Sequence, residues 1–491
     1  MTERLPAPLA AELRGLREEL PRIPARRLLR QARAAALLIT WCRRALAQSH
    51  LVSVAAALHD SLRLGRDEMR SLRIPVDLLD LFPRWTEGSR EGFRVPRRRE
   101  CLVPASATVP LGPVRLQLTT TAGVAPLVLP LLRGLEAHLD RTVPITVMIE
   151  PGRAAFALRR AARDVLRDPG RVRFEVARAA TTYARDHGLA ARTRAGAPVL
   201  LVPRGFRPER GKEEDALDAR RAHHALGARV RRSRLYWEGG NILFDGHRCL
   251  LGVDTVRENM GRLGLAADEV LTILEIEFGV PIATLGELSR SRFDGTQDRL
   301  ARSGQASYHI DLDLCPLGSV DGGRPVMLLS DPTLGLEVLP KVLSHARLAA
   351  SHGLPPSLGR RLQADEYQRV AEARRPRLQR YRRQLERLGY RLVALPELRV
   401  DPTRRLVGTG NIDLACCNAL PALHRGRPAV YHLPWGIPVF DALAARQWRR
   451  AGVRPIALSD FGPLAHGMME LAAGLHCFVG TVASRAARRR G

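Results

Sequence analysis

Four short motifs, far apart along the chain, carry side chains that together could hold a planar cation and attack its central carbon. In chain order they supply the carboxylates of Asp186 and Glu238, then His309 and Asp311 two residues apart, and finally the thiol of Cys477. Carboxylates bind the edges of a planar cation through charge-assisted hydrogen bonds, and a thiol can attack the carbon between them. The set therefore predicts nucleophilic chemistry on such a cation.

Cys477 is the candidate nucleophile, although a free cysteine is more often a small buried apolar side chain. Gly474 allows the backbone to approach a ligand closely, and residues 461–467 are typical of a loop. A nucleophilic cysteine needs a nearby cation or imidazole that lowers the pKa of its thiol, and a guanidinium substrate could supply that charge. If this backbone is extended, His476 points away from the site, and we interpret it as structural.

His309 and Asp311 lie at positions i and i+2, so in an extended segment both side chains project to one face. Tyr308, Ile310 and Leu312 then face the other way. An imidazole and a carboxylate on one face can divide the work, the first transferring protons and the second binding a cation. The alternative is a surface strand with two solvated groups.

Glu238 precedes Gly239 and Gly240, and such a pair allows tight approach of the backbone to a ligand. The alternative for Glu238 is an exposed glutamate in a turn. Asp186 follows Arg185, and it could simply cap a turn or pair with that arginine. Each motif is weak alone, and their order along the chain is the stronger observation.

The elements that must position these residues are predicted to alternate between strands and helices. Apolar residues at helical spacing predict helices from about residue 8 to residue 72, and residues 95–100 resemble a linker. After residue 105, the alternation of predicted strands and helices is typical of an α/β protein. The predicted strands cover residues 114–118, 143–149, 172–176, 197–202, 241–244, 326–329, 429–433 and 453–457, and the first two predicted helices cover residues 127–139 and 154–166.

These patterns predict an organisation in three parts. Residues 1–100 form a helical N-terminal extension, residues 105–484 form the catalytic α/β domain, and residues 485–491 form a basic tail. Two charged, helix-forming stretches near residues 208–232 and 356–388 are interpreted as insertions that are solvated or cover a site. No repeat of fixed period is visible in the sequence.

Composition limits the classes of function. The chain has 491 residues and a net charge of +28, but only Lys212 and Lys341 of its 78 basic residues are lysines. Because the arginines are spread along nearly every segment and aromatic residues make up only 5%, a specific nucleic-acid partner is disfavoured. The seven cysteines include no C-x-x-C pair, so neither a disulfide framework nor a zinc site is expected. No early apolar run is long enough to span a bilayer, and we expect a cytoplasmic protein without a membrane partner.

The order of the motifs resembles that of the guanidino-group-modifying enzymes. Arg-Asp at 185–186, Glu-Gly-Gly at 238–240, His-x-Asp at 309–311 and Gly-Leu-His-Cys at 474–477 follow the order typical of that family. Residues 431–438 with Asp441 are similar to its late strand, turn and helix, and Asn411 stands where such proteins often have an asparagine. The resemblance covers about residues 105–484. The family includes arginine, agmatine and peptidylarginine deiminases, dimethylarginine hydrolase and amidinotransferases.

This resemblance implies both a fold and a set of roles. The fold is the pentein-type α/β propeller of five ββαβ units around a pseudo-fivefold axis, with the site in the central channel. Cys477 is implied as the nucleophile and His309 as the general acid and base. Asp186 and Asp311 would bind the guanidinium nitrogens, while Glu238 positions the histidine and adds to cation binding. No cofactor and no metal are implied.

The leading functional hypothesis is a Cys-dependent hydrolase of the deiminase type, acting on a guanidino compound through a covalent amidino-cysteine intermediate. An amidinotransferase that passes the amidino group to an amine is the alternative, because it uses the same intermediate. A non-catalytic pentein binding module is a second alternative, although all five reactive positions are present. The partner is a small-molecule or peptidyl guanidino substrate, and the oligomeric state, including a homo-oligomer, is left open.

Overall fold

The computed structural model describes residues 100–118, 125–149, 153–176, 183–193, 195–205, 225–263, 265–288, 304–349, 364–399, 414–458 and 474–483. The predicted N-terminal helices and the basic tail lie outside these residues, as does the helical part of the predicted insertion before residue 225. Within these ranges, none of the helices combines the length and the apolar character that crossing a bilayer requires.

The described chain alternates between short strands and helices. The strands are β1 (Glu100–Leu102), β2 (Val114–Leu118), β3 (Ile145–Ile149), β4 (Val172–Val176), β5 (Leu189–Thr193), β6 (Pro198–Val202), β7 (Arg229–Arg232), β8 (Ile242–Phe244), β9 (Cys249–Gly252), β10 (Ile282–Leu285), β11 (Leu314–Gly318), β12 (Val326–Asp331), β13 (Arg391–Leu398), β14 (Leu414–Ala415), β15 (Leu420–His424), β16 (Arg427–His432), β17 (Arg454–Ala457) and β18 (Gly480–Thr481). The helices are α1 (Ala125–His138), α2 (Arg153–Val165), α3 (Val253–Leu263), α4 (Ala267–Phe278), α5 (Pro332–Ala349), α6 (Ala364–Arg387), α7 (Pro438–Arg450) and α8 (Leu475–Phe478).

Backbone hydrogen bonds join these strands into five sheets. Their strand orders are β18-β2-β3-β4, β1-β5-β6-β7, β10-β9-β8, β11-β12-β13-β14 and β15-β16-β17. Every sheet contains an antiparallel pair with a parallel neighbour beside it, as in β8-β9 with β10 and β15-β16 with β17. The described chain thus uses one pairing pattern five times. The mixed α/β class predicted from the sequence is confirmed.

The parallel pairs explain where the helices lie. Parallel neighbours need a crossover connection, which is usually a helix that packs against the sheet. Helix α1 connects β2 to β3, α5 and α6 connect β12 to β13, and α7 connects β16 to β17. Strand β3 is buried along its whole length because it lies between two parallel neighbours.

The apolar cores lie between the sheets and their helices. One core joins the inner faces of β2 and β3 to α1, and it continues to the short helix α8. Another lies between the sheet of β12 and β13 and helices α5 and α7. A third packs α4 against the strands β6, β8 and β9. The short turns that precede β11 and β18 are therefore held by these packed cores.

Three details differ from the sequence-based expectations. Glu100 belongs to β1, which pairs with β5, so it is part of a sheet and not of a linker. Residues 229–232 form β7, paired with β6, although the sequence assigns them to a helix-forming insertion. Residues 364–387 do form a helix, but Leu378, Tyr381 and Leu385 of α6 are buried in the core, so this helix is a packing element and not a solvated cover. Arginines on its other faces gave it the composition of a surface segment.

Candidate active site

The candidate site is built from turns that immediately precede β5, β8, β11 and β18, each of which pairs antiparallel with a strand that also has a parallel neighbour. Asp186 lies in a single 3-10 turn before β5, and Glu238 precedes a similar turn before β8. His309 and Asp311 lie at the turn before β11, and Cys477 lies in α8 before β18. Residues separated by hundreds of positions therefore occupy equivalent places in four sheets. Asn418 occupies the same place before β15 of the fifth sheet.

His309 lies between two of the predicted carboxylates. Its Nε2 is 2.5 Å from Oε2 of Glu238, and its Nδ1 is 3.9 Å from Oδ1 of Asp186. The histidine side chain is buried, whereas that of Glu238 is 40% exposed, so Glu238 lies at the open side of the cluster. The structure thus brings together three of the five predicted site residues.

Both glycines after Glu238 are required by the close packing of these turns. A Cβ on Gly240 would lie 2.4 Å from Nδ1 of His309, and one on Gly239 would lie 2.0 Å from the carbonyl oxygen of Arg185. The amide of Gly240 also donates a hydrogen bond of 3.2 Å to Oδ1 of Asp186. The Gly-Gly pair therefore lets one turn pack against the other, as its flexibility predicted, and it orients a carboxylate.

Asp311 is fully buried beside this cluster and is held by a residue that we interpreted as structural. Nδ1 of His476 donates a hydrogen bond of 2.8 Å to Oδ2 of Asp311. The expectation that His476 points away assumed extended backbone, but residues 475–478 form a helical turn, where adjacent side chains lie about 100° apart. Among the residues that the structure describes, Oδ1 of Asp311 has no hydrogen-bond partner, although it is buried. One oxygen of this carboxylate is thus fixed, and the other is an open acceptor.

The backbone around His309 is extended only at that residue. His309 has φ −128° and ψ 142°, and residues 310–312 then form a 3-10 turn. Ile310 and Leu312 are buried in apolar cores, as expected for the opposite face. Tyr308 is 43% exposed, and its ring centroid lies 4.7 Å from that of His309. The predicted division of faces therefore holds for the two aliphatic residues and fails for Tyr308.

Asn418 links the cysteine to Asp311, and none of the sequence motifs includes it. Its Oδ1 accepts hydrogen bonds of 3.1 Å from the amides of Gly474 and Cys477, and its Nδ2 donates to the carbonyl of Asp311 over 3.4 Å. A Cβ on Gly474 would meet the carbonyl oxygen of Asn418 at 2.5 Å. Asn418 directly precedes β15, just as the other site residues precede β5, β8, β11 and β18, and this shared position is the feature that could have identified it.

Asn241 makes the corresponding link between the Glu238 turn and the His309 turn. Its Oδ1 accepts from the amide of Ile310 over 3.3 Å, and its Nδ2 donates to the carbonyl of Tyr308 over 3.2 Å. Nε2 of Gln305 also donates to that Oδ1 over 2.9 Å. The two amide side chains fix the separation between Glu238 and His309.

Arg185 supports the cluster by donating hydrogen bonds to backbone carbonyls. Its Nε donates to the carbonyl of Gly239 over 3.1 Å, and its Nη2 donates to that of Ile242 over 2.6 Å. Burial lowers the pKa of this guanidinium, and the nearby carboxylates of Asp311 and Asp186 oppose that shift. The alternative in which Asp186 merely pairs with Arg185 is therefore not what the hydrogen bonds show.

The electrostatics of the cluster favour a protonated histidine. Burial alone would lower the pKa of His309, but the carboxylates of Asp186 and Glu238 raise it to about 10. Burial raises the pKa of Asp186 to about 7, with His309 opposing this shift. The pKa of Asp311 is lowered despite burial, because His476 donates a hydrogen bond to the carboxylate. At neutral pH the cluster thus holds an imidazolium among several carboxylates.

Cys477 is a protonated thiol in this environment. Burial raises its pKa well above the usual value, and the carboxylates of Asp311 and Asp186 raise it further. These two acids are therefore close enough to the sulfur to act on its charge. Because a thiolate is the nucleophilic form, the site needs an additional positive charge beside the sulfur before the thiol can react.

Two parts of the sequence-based hypothesis concern residues that the structure does not describe. Asn411 and the loop of residues 461–467 fall outside the described ranges. Residues 431–438 are described, and the carboxylate of Asp441 accepts hydrogen bonds from the amides of Trp435, Gly436 and Ile437, so this segment is a helix-capping turn. Across the residues described, no group of three or more histidine, cysteine or acidic side chains could hold a metal ion.

Comparison with known proteins adds evidence about the fold. No protein-family model matches the chain, and no curated protein matches its sequence. The substrate-bound agmatine deiminase of C. jejuni, in a variant with one cysteine replaced by serine, aligns with a TM-score of 0.52 at 13% identity, over 79% of this chain and 97% of that one. Another structure of C. jejuni agmatine deiminase gives a TM-score of 0.50 at 13% identity, over 79% and 98% of the two chains. The chain therefore has the mixed α/β fold of these proteins, as the resemblance predicted.

Proposed function

We propose that the protein is a Cys-dependent hydrolase that deiminates a guanidino compound. The observation that carries this proposal concerns Oδ1 of Asp311, which is buried and receives no hydrogen bond from the described residues. Asp311 lies in a cluster with Asp186, Glu238 and the thiol of Cys477. An acceptor of this kind is costly to bury unless a donor occupies it. A guanidinium supplies both the missing N–H donors and a positive charge.

Binding of the cation prepares the thiol for attack. Asp186 and Asp311 bind the guanidinium nitrogens along its edges and hold its plane, which orients the central carbon towards Sγ of Cys477. The positive charge lowers the pKa of the thiol, which burial and the two acids otherwise raise. The nucleophile is therefore activated only when substrate is present.

The chemical steps follow from the protonation states. When the cation binds, the thiol of Cys477 releases its proton to solvent, and the thiolate attacks the central carbon to give a tetrahedral adduct. His309, with a pKa raised to about 10, then protonates the departing nitrogen. Ammonia leaves, and the amidino carbon remains bonded to sulfur. Water, deprotonated by the same histidine, then attacks that carbon, so that the ureido product and the free thiol are released. Glu238 positions His309 through its contact with Nε2.

The likeness to agmatine deiminases is compatible with this reaction, and the five sheets are proposed to be the five units of a propeller with the site on its axis. An amidinotransferase remains the alternative because the same residues would serve it. The two reactions differ in the covalent adduct. A deiminase loses ammonia first, so its adduct keeps the alkyl chain of the substrate. A transferase loses the amine first, so its adduct contains the amidino group alone.

The test is a screen of arginine, agmatine and a peptidyl arginine for ammonia and ureido product, with and without glycine as an acceptor. Mass spectrometry of the acid-quenched protein measures the adduct on the peptide that contains Cys477. We expect Cys477→Ala to abolish turnover and adduct formation. Cys315→Ala is the matched control, because Cys315 is also buried and influenced by Asp311, and it should keep full activity. Unchanged turnover in Cys477→Ala would contradict the covalent mechanism.

A further inference from the structure

A second buried cluster of charges lies directly behind the turn that carries His309 and Asp311. It consists of Arg374 on α6, Glu397 and Arg399 at the end of β13, and Asp313, and all four side chains are at least nine-tenths buried. We name these four residues the arginine brace. Arg374 contacts Asp313 and Glu397, and Arg399 lies 3.2 Å from Oε2 of Glu397.

The two arginines bond to both ends of the segment formed by residues 306–313. Nε of Arg374 donates to the carbonyl of Ala306 over 3.2 Å, and Nη2 of Arg399 donates to the carbonyl of Leu312 over 2.6 Å. Oγ of Ser307 accepts from Arg374 over 3.1 Å and from Arg399 over 2.9 Å. The segment between these points contains both His309 and Asp311.

Helix α6 holds the first end of this segment by both of its backbone groups. The hydroxyl of Tyr381 accepts from the amide of Ala306 over 3.1 Å, while Arg374 binds the carbonyl of the same residue. Oγ of Ser307 also donates to Oδ1 of Asp313 over 2.9 Å, which joins the two ends. The planar guanidinium bonds in several fixed directions at once, and a lysine ammonium cannot reproduce this fork.

We propose that Arg374 and Arg399 are positioning residues that set the place of His309 relative to Asp186 and Glu238. This role rests on the proposed function, because it acts on the histidine that transfers protons there. The alternative is that the arginines only satisfy buried carbonyls and stabilise the fold. Positioning predicts an effect on the ionisation of His309, whereas a purely structural role predicts only a loss of stability.

The test measures the pKa of His309 by NMR titration and turnover by steady-state kinetics in Arg374→Lys. The carboxylates of Asp186, Glu238 and Asp311 face His309 and raise its pKa, so displacement of the ring should lower the pKa towards 6.5. We expect kcat/KM to fall about 10- to 100-fold, since a displacement of about 1 Å can cost this much. Arg171→Lys is the control, because Arg171 likewise donates hydrogen bonds from all three of its nitrogens, in its case to backbone carbonyls remote from the site.

Ser307→Ala provides a second variant if Arg374→Lys does not fold, because it removes only the hydroxyl that both arginines contact. We expect the same direction of change in the His309 pKa, with a smaller loss of kcat/KM. An unchanged pKa and unchanged kinetics in both variants, with a loss of thermal stability matching that of Arg171→Lys, would overturn the proposal. If the wild-type protein lacks turnover, the proposed function fails, while the titration still decides the role of the brace.

Discussion

Two clusters of acidic side chains lie on either side of the turn that carries His309 and Asp311. The groups that balance their negative charge differ. In the arginine brace, Asp313 and Glu397 are matched by two arginines that contact them. In the candidate site, Asp186, Glu238 and Asp311 lie around the imidazolium of His309. Arg185 lies nearby but gives its hydrogen bonds to backbone carbonyls. Asp311 and Asp313 are only two residues apart, so the two environments are close neighbours.

The difference indicates what each cluster is for. Buried charges are most stable when each has a partner and its hydrogen bonds are complete. In the brace each acid contacts an arginine, although among the described residues Oδ2 of Asp313 and Oε2 of Glu397 accept no hydrogen bond. The site keeps an excess of negative charge, an open carboxylate oxygen and a thiol whose pKa is raised by its neighbours. Such an arrangement is unfavourable alone and becomes favourable when a cation enters. The brace is therefore interpreted as a structural ion cluster, whereas the site is proposed to bind a cation.

The largest expected effect comes from unbalancing the brace. Arg374→Met leaves Asp313 and Glu397 with one arginine, and the free energy of unfolding should fall by about 3–5 kcal/mol, as for other broken buried ion pairs. Urea denaturation measures this loss. The double variant Arg374→Met with Glu397→Gln restores the balance of charge and should recover part of the stability. A double variant less stable than the single one would contradict this account of the brace.

Asp311→Asn tests the receptor side of the comparison. Loss of the charged acceptor should weaken binding of the guanidino substrate about 100-fold, or about 2.7 kcal/mol, which is within the range for one member of a buried charge pair. Calorimetry in a Cys477→Ala background measures affinity without turnover. Asp245→Asn is the control, because Asp245 is also buried but accepts from the amides of His247 and Arg248 in a turn, and it should leave affinity unchanged.

Asp186→Asn should change stability in a direction that depends on pH. Because burial raises the pKa of Asp186 from 3.8 to about 7, this carboxyl lowers the stability of the fold increasingly as the pH rises from 3.8 to about 7, and by a constant amount above that. His309, Glu238, Asp311 and the amide of Gly240 face this carboxylate, and the net shift includes all of them.

We therefore expect the Tm of Asp186→Asn to exceed that of the wild type by about 2–4 °C at pH 8 and by a smaller amount at pH 5. Differential scanning calorimetry at both pH values measures the two differences. Asp140→Asn is the control of opposite sign, because hydrogen bonds from Thr142 lower the pKa of Asp140, so its charged form stabilises the fold above its unfolded pKa. A lower Tm for Asp186→Asn at pH 8 would show that the site is already neutralised without substrate.

The smallest expected effect concerns the hydrogen bond from His476 to Asp311. His476→Leu removes a donor that lowers the pKa of Asp311, so activity should be lost at a higher pH on the acid side. His309 and Arg185 also face this carboxylate and keep part of the shift. At pH 7 the loss of kcat/KM should be about threefold, as for one ordinary hydrogen bond. His476→Asn keeps a donor, and its pH profile should follow the wild type.

The predicted strands and helices agree with the structure where the residue pattern of a segment permits only one interpretation. The strands at 114–118 and 172–176 have the predicted bounds, because apolar and polar residues alternate there. The first was predicted to be half-buried, but Arg115 and Gln117 on its polar face are buried as well. Helix α6 was interpreted as a solvated cover because it is rich in arginine. The sequence cannot show that Arg374 is matched by Glu397 and Asp313, since those partners lie in other elements.

The candidate site was predictable in its reactive groups and not in their supports. Asp186, Glu238 and His309 lie together as the order of motifs implied, and their catalytic roles stay predictions. Asn418 was not selected and His476 was interpreted as structural, because the hydrogen bonds of both residues depend on local turns. One helical turn at residues 475–478, in place of an extended segment, directs His476 towards Asp311. Contacts of this kind follow from tertiary geometry, which short motifs do not encode.

The pairing of β18 with β2 has a consequence for the order in which the molecule becomes competent. Gly480 and Thr481 complete a sheet whose other strands lie between residues 114 and 176, and Cys477 is carried into the site just before them. On the ribosome, the acids and the histidine are therefore synthesised long before the sulfur. A nascent chain cannot assemble the whole site, because Cys477, the proposed nucleophile, arrives only when β18 pairs with β2. Chemical competence is thus a late event of biogenesis, and the appearance of activity reports that this long-range contact has formed.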